Sequence, residues 1–398
     1  MTRRVCRWMV LFAVVGALAA PRHAAAERCT FEVQPGGKRS LSTRLRALFH
    51  PSERRIQATR GGIRRAYARI TPFVDNLPTP LVKSEALSKK YGVEVWLKLE
   101  SQTEVGSFKI RGAMNKVRSL LPWKRRRGVV CASTGNHSQG VAMAARKSGV
   151  PAVIFMPLNA SPLKADKTRH IGKNVEVKIE GEDYGASVQL SRQHAKQKGM
   201  AFVSGYADRK VIEGQGTIGK EIAEQVKLSH NDWILSALGG GGLLGGISSW
   251  FQGQTDRPRL IGVQSSNNGA MAMTLRNKPG ARLGQLPFAP TVADGTLVTR
   301  TPDPQMVELL RSRVDYVVSV PEAQVERAVL KLLHRTGHRI EGAGALPLAG
   351  MERVLAERLK YDGLRGVKRP DKVVLVLSGG NISDSKLAEL RAHHPDLR

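Results

Sequence analysis

The chain has 398 residues, a formal net charge of +30, 41% hydrophobic residues and 5% aromatic ones. That length and apolar fraction supply one large or two ordinary domains with a sizeable core, and exclude a disordered chain. The three cysteines, Cys6, Cys29 and Cys131, form neither a zinc spacing nor a disulfide framework, and the basic runs at Lys124–Arg127 and around Arg54–Arg69 come without a recognition module, so no specific nucleic-acid partner is assigned.

Arg3, Arg4 and Arg7 open the chain, an uncharged stretch runs from Trp8 to Ala20, and Pro21 precedes Ala24-Ala25-Ala26. These are the three regions of a secretory signal peptide over residues 1–26, too short for a transmembrane span. The expectation is cleavage after Ala26 and export to the periplasm. A start codon set upstream of a cytoplasmic protein is the alternative. Residues 27–59 are basic, show no period and read as a surface segment.

From Arg60 the patterning becomes regular. Gly92–Glu100 alternates Val93, Val95, Leu97 and Leu99, which predicts a strand with one buried side. Ser107 opens a helix-like run, SFKIRGAMNKV. Strand patterns follow at Val129–Ala132, Ala152–Met156, Val175–Ile179, Trp233–Leu238, Leu260–Gln264 and Val373–Leu377, with helical patterns between most of them, such as Ser138–Lys147 and Asp183–Lys198. Strands joined by helices of this length predict an α/β fold, a parallel sheet with helices on both faces. Such sheets bind ligands beyond the carboxyl ends of their strands. No internal repeat is visible, and Asn267–Arg300 reads as loop with a short helical piece.

Four turns carry chemistry. In Gly106-Ser107-Phe108-Lys109 a lysine stands at a helix start, which is unfavourable for the helix dipole unless something uses it; alone it reads as a solvated lysine. Ser133-Thr134-Gly135-Asn136-His137 follows a strand and offers hydroxyls and backbone N–H groups for a carboxylate, or merely a Ser133 or Thr134 helix cap. His137 reads equally as a structural histidine. Gly239-Gly240-Gly241-Gly242 after a buried strand is costly in chain entropy unless backbone must crowd around an anion. The loop lacks the lysine of a mononucleotide loop, and the next strand ends in Gln264 rather than in the acid that would hold a ribose, so a phosphate without a ribose fits best. Ser378-Gly379-Gly380-Asn381 ends the last strand, and Ser378 can bond a ring nitrogen or cap a helix.

Together these segments resemble the fold-type II pyridoxal-phosphate enzymes, the family of threonine and serine dehydratases, serine racemase and the tryptophan synthase beta chain. The resemblance is nearest to the dehydratases. It rests on GSFKIRGA at Gly106–Ala113, STGNHSQG at Ser133–Gly140, GQGTIGKEI at Gly214–Ile222, GGGGLLGG at Gly239–Gly246 and LSGGN at Leu377–Asn381. It implies two open parallel-sheet α/β domains with pyridoxal 5'-phosphate in the cleft between them: a large domain over 60–127 and 205–390, and a small one over 128–204. It further implies that Lys109 binds the cofactor aldehyde, that Asn136 bonds the ring 3-oxygen and that Phe108 packs beside the ring. Gly239, Gly240, Gly241, Gly242 and Leu243 would cradle the phosphate, and Ser378 would meet the pyridine nitrogen. Ser133, Thr134 and His137 would line the substrate-carboxylate pocket, and Glu341, ahead of Gly342–Ala345, would face the substrate.

The implied activity is β-elimination from L-threonine or L-serine to a 2-oxo acid and ammonia, by a homodimer, with Lys109 removing the Cα proton. A racemase, or a lyase for another 3-substituted amino acid, is the alternative within catalysis; a non-catalytic ligand-binding protein is the alternative outside it. Two departures matter. Thr134 stands where many dehydratases have alanine and where serine racemase has a serine base, so its hydroxyl either acts on the second face or fills space. The acidic pair that holds a divalent cation in some members is replaced by Gln264 and Ala270, so no metal site is expected. Only a short tail follows Asn381, and no regulatory domain is expected there.

Overall fold

The computed structural model describes residues 30–32, 56–160, 162–277, 289–297, 302–357 and 368–397. The expected signal segment, 1–26, lies outside the described residues, as does most of 27–59. In chain order the described strands are β1 (Thr30–Glu32), β2 (Leu81–Lys83), β3 (Glu94–Leu99), β4 (Val129–Ala132), β5 (Ala152–Met156), β6 (Val175–Ile179), β7 (Ala201–Phe202), β8 (Trp233–Ala237), β9 (Arg259–Ser265), β10 (Tyr316–Val320) and β11 (Lys372–Leu377). Seven form one sheet in the order β1-β10-β9-β8-β11-β3-β2, and four form another in the order β6-β5-β4-β7.

The smaller sheet is wholly parallel. In the larger, β10, β9, β8, β11 and β3 are parallel, while β1 and β2 add antiparallel edges. The expected parallel sheets are both present, and the larger one gains an antiparallel strand at each edge. Strands β4, β5 and β8 are buried at every position, as a sheet covered on both faces requires. Among the described residues no helix is long and apolar enough to cross a membrane.

The strand expected to have one buried side has it, and is buried at one position of its other face as well. Val95, Leu97 and Leu99 join the main core, but Lys98 on the other face is fully buried too. Its Nζ donates to Glu221 Oε2 at 2.6 Å, to Gln225 Oε1 at 2.8 Å and to the Thr79 carbonyl at 2.8 Å. Arg111, also fully buried, donates to both carboxylate oxygens of Glu100, at 2.7 and 2.9 Å, and to both of Glu221, at 2.7 and 2.8 Å. Two cations thus meet two carboxylates. Although burial opposes it, Arg111 and Lys98 hold Glu221 below the usual carboxylate range. This network ties β3 and the Thr217–Gln225 helix to the Lys109–Arg118 helix.

That last helix begins at Lys109, two residues after the expected Ser107, because Ser107 is drawn into a bridge with Gly379. It packs between the Asn136–Ser148 and Arg209–Gln215 helices, and glycine sets the spacing. A Cβ on Gly214 would lie 2.6 Å from the Arg111 carbonyl oxygen, and one on Gly140 3.0 Å from the Lys109 carbonyl carbon. Backbones this close admit no side chain at either position.

Candidate active site

The Gly106–Lys109 turn and the turn after β11 are zipped together. Phe108 N donates to the Ser378 carbonyl at 3.1 Å and Gly380 N to the Gly106 carbonyl at 2.9 Å. Gly106 has φ +69°, a conformation that L side chains rarely adopt, and a Cβ there would meet Asn381 Oδ1 at 2.8 Å. This pairing fixes where the helix starts and aims Lys109 into a cavity of about 1170 Å³. Lys109 Nζ donates to the Gly205 carbonyl at 2.9 Å and lies 5.1 Å from the Phe108 ring centroid. Burial lowers its ammonium pKa to about 8, against an opposing pull from Glu341. An amine near 8 is a competent base and nucleophile at physiological pH.

Opposite Lys109, three polar side chains form a chain of contacts. Asn381 Nδ2 donates to Asn136 Oδ1 at 2.8 Å, and Asn136 Nδ2 donates to Glu341 Oε1 at 2.6 Å. Glu341 is buried, and burial with the Asp294 charge raises its pKa to about 7, while the bond from Asn136 and the charges of Lys164 and Lys109 oppose the rise.

Ser133, Thr134 and His137 line the same cavity at the carboxyl end of β4. Neither hydroxyl caps the helix that follows. Gly135 holds the cap position without a side-chain bond, and Ser133 Oγ instead accepts from Gly135 N at 3.2 Å. His137 Nε2 sits 3.0 Å from the Val203 carbonyl, so it is the protonated nitrogen, and Nδ1 has no partner among the described residues. Burial, with the nearby Lys109 charge, lowers its pKa to about 3, so the ring is neutral.

The glycine loop crosses the cavity floor after β8. Gly241 has φ +86° and caps the Gly242–Phe251 helix, whose first N–H groups lack intrahelical acceptors. A Cβ on Gly240 would meet the Tyr206 ring at 2.4 Å, and one on Gly239 the Thr296 carbonyl oxygen at 2.9 Å. Leu243 and Ser378 complete this wall. An anion is the ligand that a crowded helix N-terminus accepts.

All the residues nominated from sequence therefore surround one cavity. Sequence reasoning missed the Gly205 carbonyl, Tyr206 and the Lys164–Asp294 pair, which is 3.1 Å long and also lines the cavity. A backbone acceptor carries no side-chain signal, and the ion pair joins residues 130 positions apart. Gln264, at one of the positions without an acidic metal ligand, is buried and accepts from Ala272 N at 2.9 Å.

Comparison with known proteins agrees with this geometry. The sequence model of a family described as pyridoxal-phosphate dependent enzyme matches residues 74–379. An L-threonine ammonia-lyase of Thermotoga maritima is 39% identical over 304 residues, 76% of this chain and 71% of that protein. Among solved structures, the processed form of threonine deaminase isoform 2 from Solanum lycopersicum superposes with TM-score 0.74 at 27% identity, covering 92% of this chain and 97% of that one. Maize serine racemase superposes with TM-score 0.72 at 27% identity, covering 85% and 98%.

Proposed function

Because the chain belongs to the pyridoxal-phosphate-dependent enzymes, and is a lyase of fold type II, we propose that it is an ammonia-lyase that converts L-threonine and L-serine to 2-oxo acids and ammonia. The observation that carries this reading is the meeting of Lys109, the glycine loop and Ser378 in one cavity. The residues suit the cofactor. A buried primary amine near 8 suits an aldehyde, and a glycine cradle at a helix N-terminus suits a phosphate. Lys109 would hold the aldehyde carbon, Gly239 to Leu243 the phosphate, Asn136 the ring oxygen and Ser378 the ring nitrogen, with Phe108 beside the ring.

Bound there, the cofactor supplies an electron sink for the Cα–H bond. Lys109 Nζ, a free amine once the substrate's own amine has taken its place, is the base that takes the Cα proton. Ser378, a neutral hydroxyl, would leave less positive charge on the ring nitrogen than a carboxylate partner would, which would favour prompt loss of the β-hydroxyl. The Ser133 and Thr134 hydroxyls hold the substrate carboxylate beyond β4, and the neutral His137, whose one N–H is taken by the Val203 carbonyl, lines the pocket beside them. Glu341 keeps Asn136 oriented and faces the substrate.

A racemase is the second reading, favoured by the likeness to maize serine racemase and by the Thr134 hydroxyl at the cavity. Returning a proton to the second face needs an activated acid, and among the described residues no side chain bonds that hydroxyl. Elimination therefore dominates. Incubation of L-threonine and L-serine in heavy water, with chiral analysis of recovered amino acid beside an ammonia assay, decides between them. Fast ammonia release with little inverted isomer is expected, independent of added magnesium or calcium. Rapid inversion with deuterium incorporation and little ammonia would overturn it.

The four-stranded sheet supports a small domain at 128–204, and the seven-stranded sheet supports a large one at 60–127 and 205–390. The regions of residues 3–26 support export to the periplasm with removal of that segment. Assembly as a homodimer follows from family resemblance.

A further inference from the structure

In the smaller sheet the cavity takes its residues from the carboxyl ends of the strands: Ser133 after β4, Pro157 after β5, Asp183 after β6 and Gly205 after β7. All four strands are parallel, so the opposite edge gathers the segments that lead into them. These segments, 119–128, 145–151, 170–174 and 196–200, carry Lys124, Arg125, Arg126, Arg127, Arg146, Lys147, Lys173, Lys196 and Lys198 without an aspartate or glutamate. Lys147 is neutralised by Asp75 and Glu104 at 2.8 and 3.0 Å. The others leave a strong positive field.

Apolar groups stand in the middle of this field. The Pro122–Arg127 helix has no buried residue, Leu121 is 60% exposed and Trp123 51% exposed. Arg127 lies over the Trp123 ring at 5.6 Å and reaches Gly199 beside Lys198, which joins the helix to the neighbouring cations. An exposed tryptophan and leucine rimmed by Lys and Arg is the composition of a segment lying at a bilayer interface. A nucleic acid would account for the charge but gives exposed Leu121 nothing to contact.

We propose that this edge, centred on Leu121, Trp123, Lys124, Arg126 and Arg127, docks the protein on an anionic lipid surface and leaves the cavity, at the other end of the strands, open to the aqueous side. The cations attract the headgroups, each strengthening binding about fivefold, and Trp123 with Leu121 enters the headgroup boundary.

The test uses the full chain with Trp8→Phe, so that an apolar N-terminal segment contributes no tryptophan signal. Of the other described tryptophans, Trp233 and Trp250 are buried and Trp96 is half-buried against the core, which leaves Trp123 as the exposed reporter. Quenching by brominated acyl chains is read on vesicles of phosphatidylcholine with and without phosphatidylglycerol. Quenching is expected on the anionic vesicles only, and is lost in Trp123→Phe. The triple variant Lys124→Glu, Arg126→Glu, Arg127→Glu should weaken it at least about tenfold while ammonia release from threonine, which uses none of these residues, stays unchanged. Equal quenching on neutral vesicles, or none, would overturn the proposal, as would no change in the triple variant. Tighter binding of a single-stranded RNA oligonucleotide than of anionic vesicles at the same ionic strength would assign the edge to nucleic acid instead.

Discussion

At the scale of residues, the buried amine and the buried acid of the cavity set its pH behaviour. Only the neutral amine of Lys109 attacks an aldehyde, so in cofactor-stripped protein the rate of pyridoxal-phosphate capture should rise as pH passes upward through about 8. The Glu341 carboxylate favours the ammonium form of Lys109. Glu341→Gln should therefore move the midpoint of capture to lower pH. Stopped-flow absorbance across the range checks both, and a flat profile or an upward shift would contradict the assignment. Thr134→Ala should raise the KM for ammonia release with kcat little changed, and abolish whatever slow inversion the wild type shows, measured by chiral chromatography. These residues were legible because each sits in a short motif whose composition is expensive or exposed: four glycines in succession, a lysine at a helix start, a serine at a strand end. Asn136 and Glu341 were nominated singly, but their bond was not, since nothing in a sequence pairs residues 205 positions apart.

At the scale of elements, the Lys109 helix owes its position to what lies beneath it. Arg111 is balanced by Glu100 and Glu221, so Arg111→Met would leave buried Glu100 without a cation and Glu221 with Lys98 alone, and cost about 3–5 kcal/mol. Urea unfolding should show that loss; a change below about 1 kcal/mol, the size expected of an exposed pair, would mean that the network contributes little. On the glycine loop, Gly240→Ala would force a methyl group against the Tyr206 ring. Overpacking of this kind costs about 1–3 kcal/mol, so cofactor affinity in an equilibrium titration should fall about tenfold or more, with secondary structure by circular dichroism unchanged. The interior strands β4, β5, β8, β9 and β11 were legible as apolar runs and the edge strand β6 as an alternating one, while the interior β10 was not picked out. The edge strands β1, β2 and β7 span three, three and two residues, too short to show a period, and exist because a neighbour offers a free edge. The face of β3 that carries Lys98 was misread because lysine is almost never fully buried unless paired, and its partners lie far along the chain.

At the scale of the whole molecule, parallel topology assigns the two ends of the small sheet to different work: chemistry at the carboxyl ends, a basic apolar surface at the amino ends. The motifs told the first end, because ligand sites in such sheets follow the strands. The second end was visible only as scattered charge until folding gathered four segments onto one edge. The proposal of export predicts that sequencing of the natively expressed protein begins at Glu27, and an intact Met1 in a cytoplasmic fraction would contradict it. Sedimentation at low protein concentration should find a dimer. That the cavity around Lys109 eliminates water from a hydroxy amino acid, the water returning as the product hydrolyses to a 2-oxo acid and ammonia, is checked by ammonia release from L-threonine. Wild type and Lys109→Ala are compared, both supplied with pyridoxal phosphate. Wild type should give one 2-oxo acid for each ammonia and the variant neither; ammonia release that survives the loss of Lys109, or a wild type that leaves threonine and serine untouched, would rule out this role for the cavity.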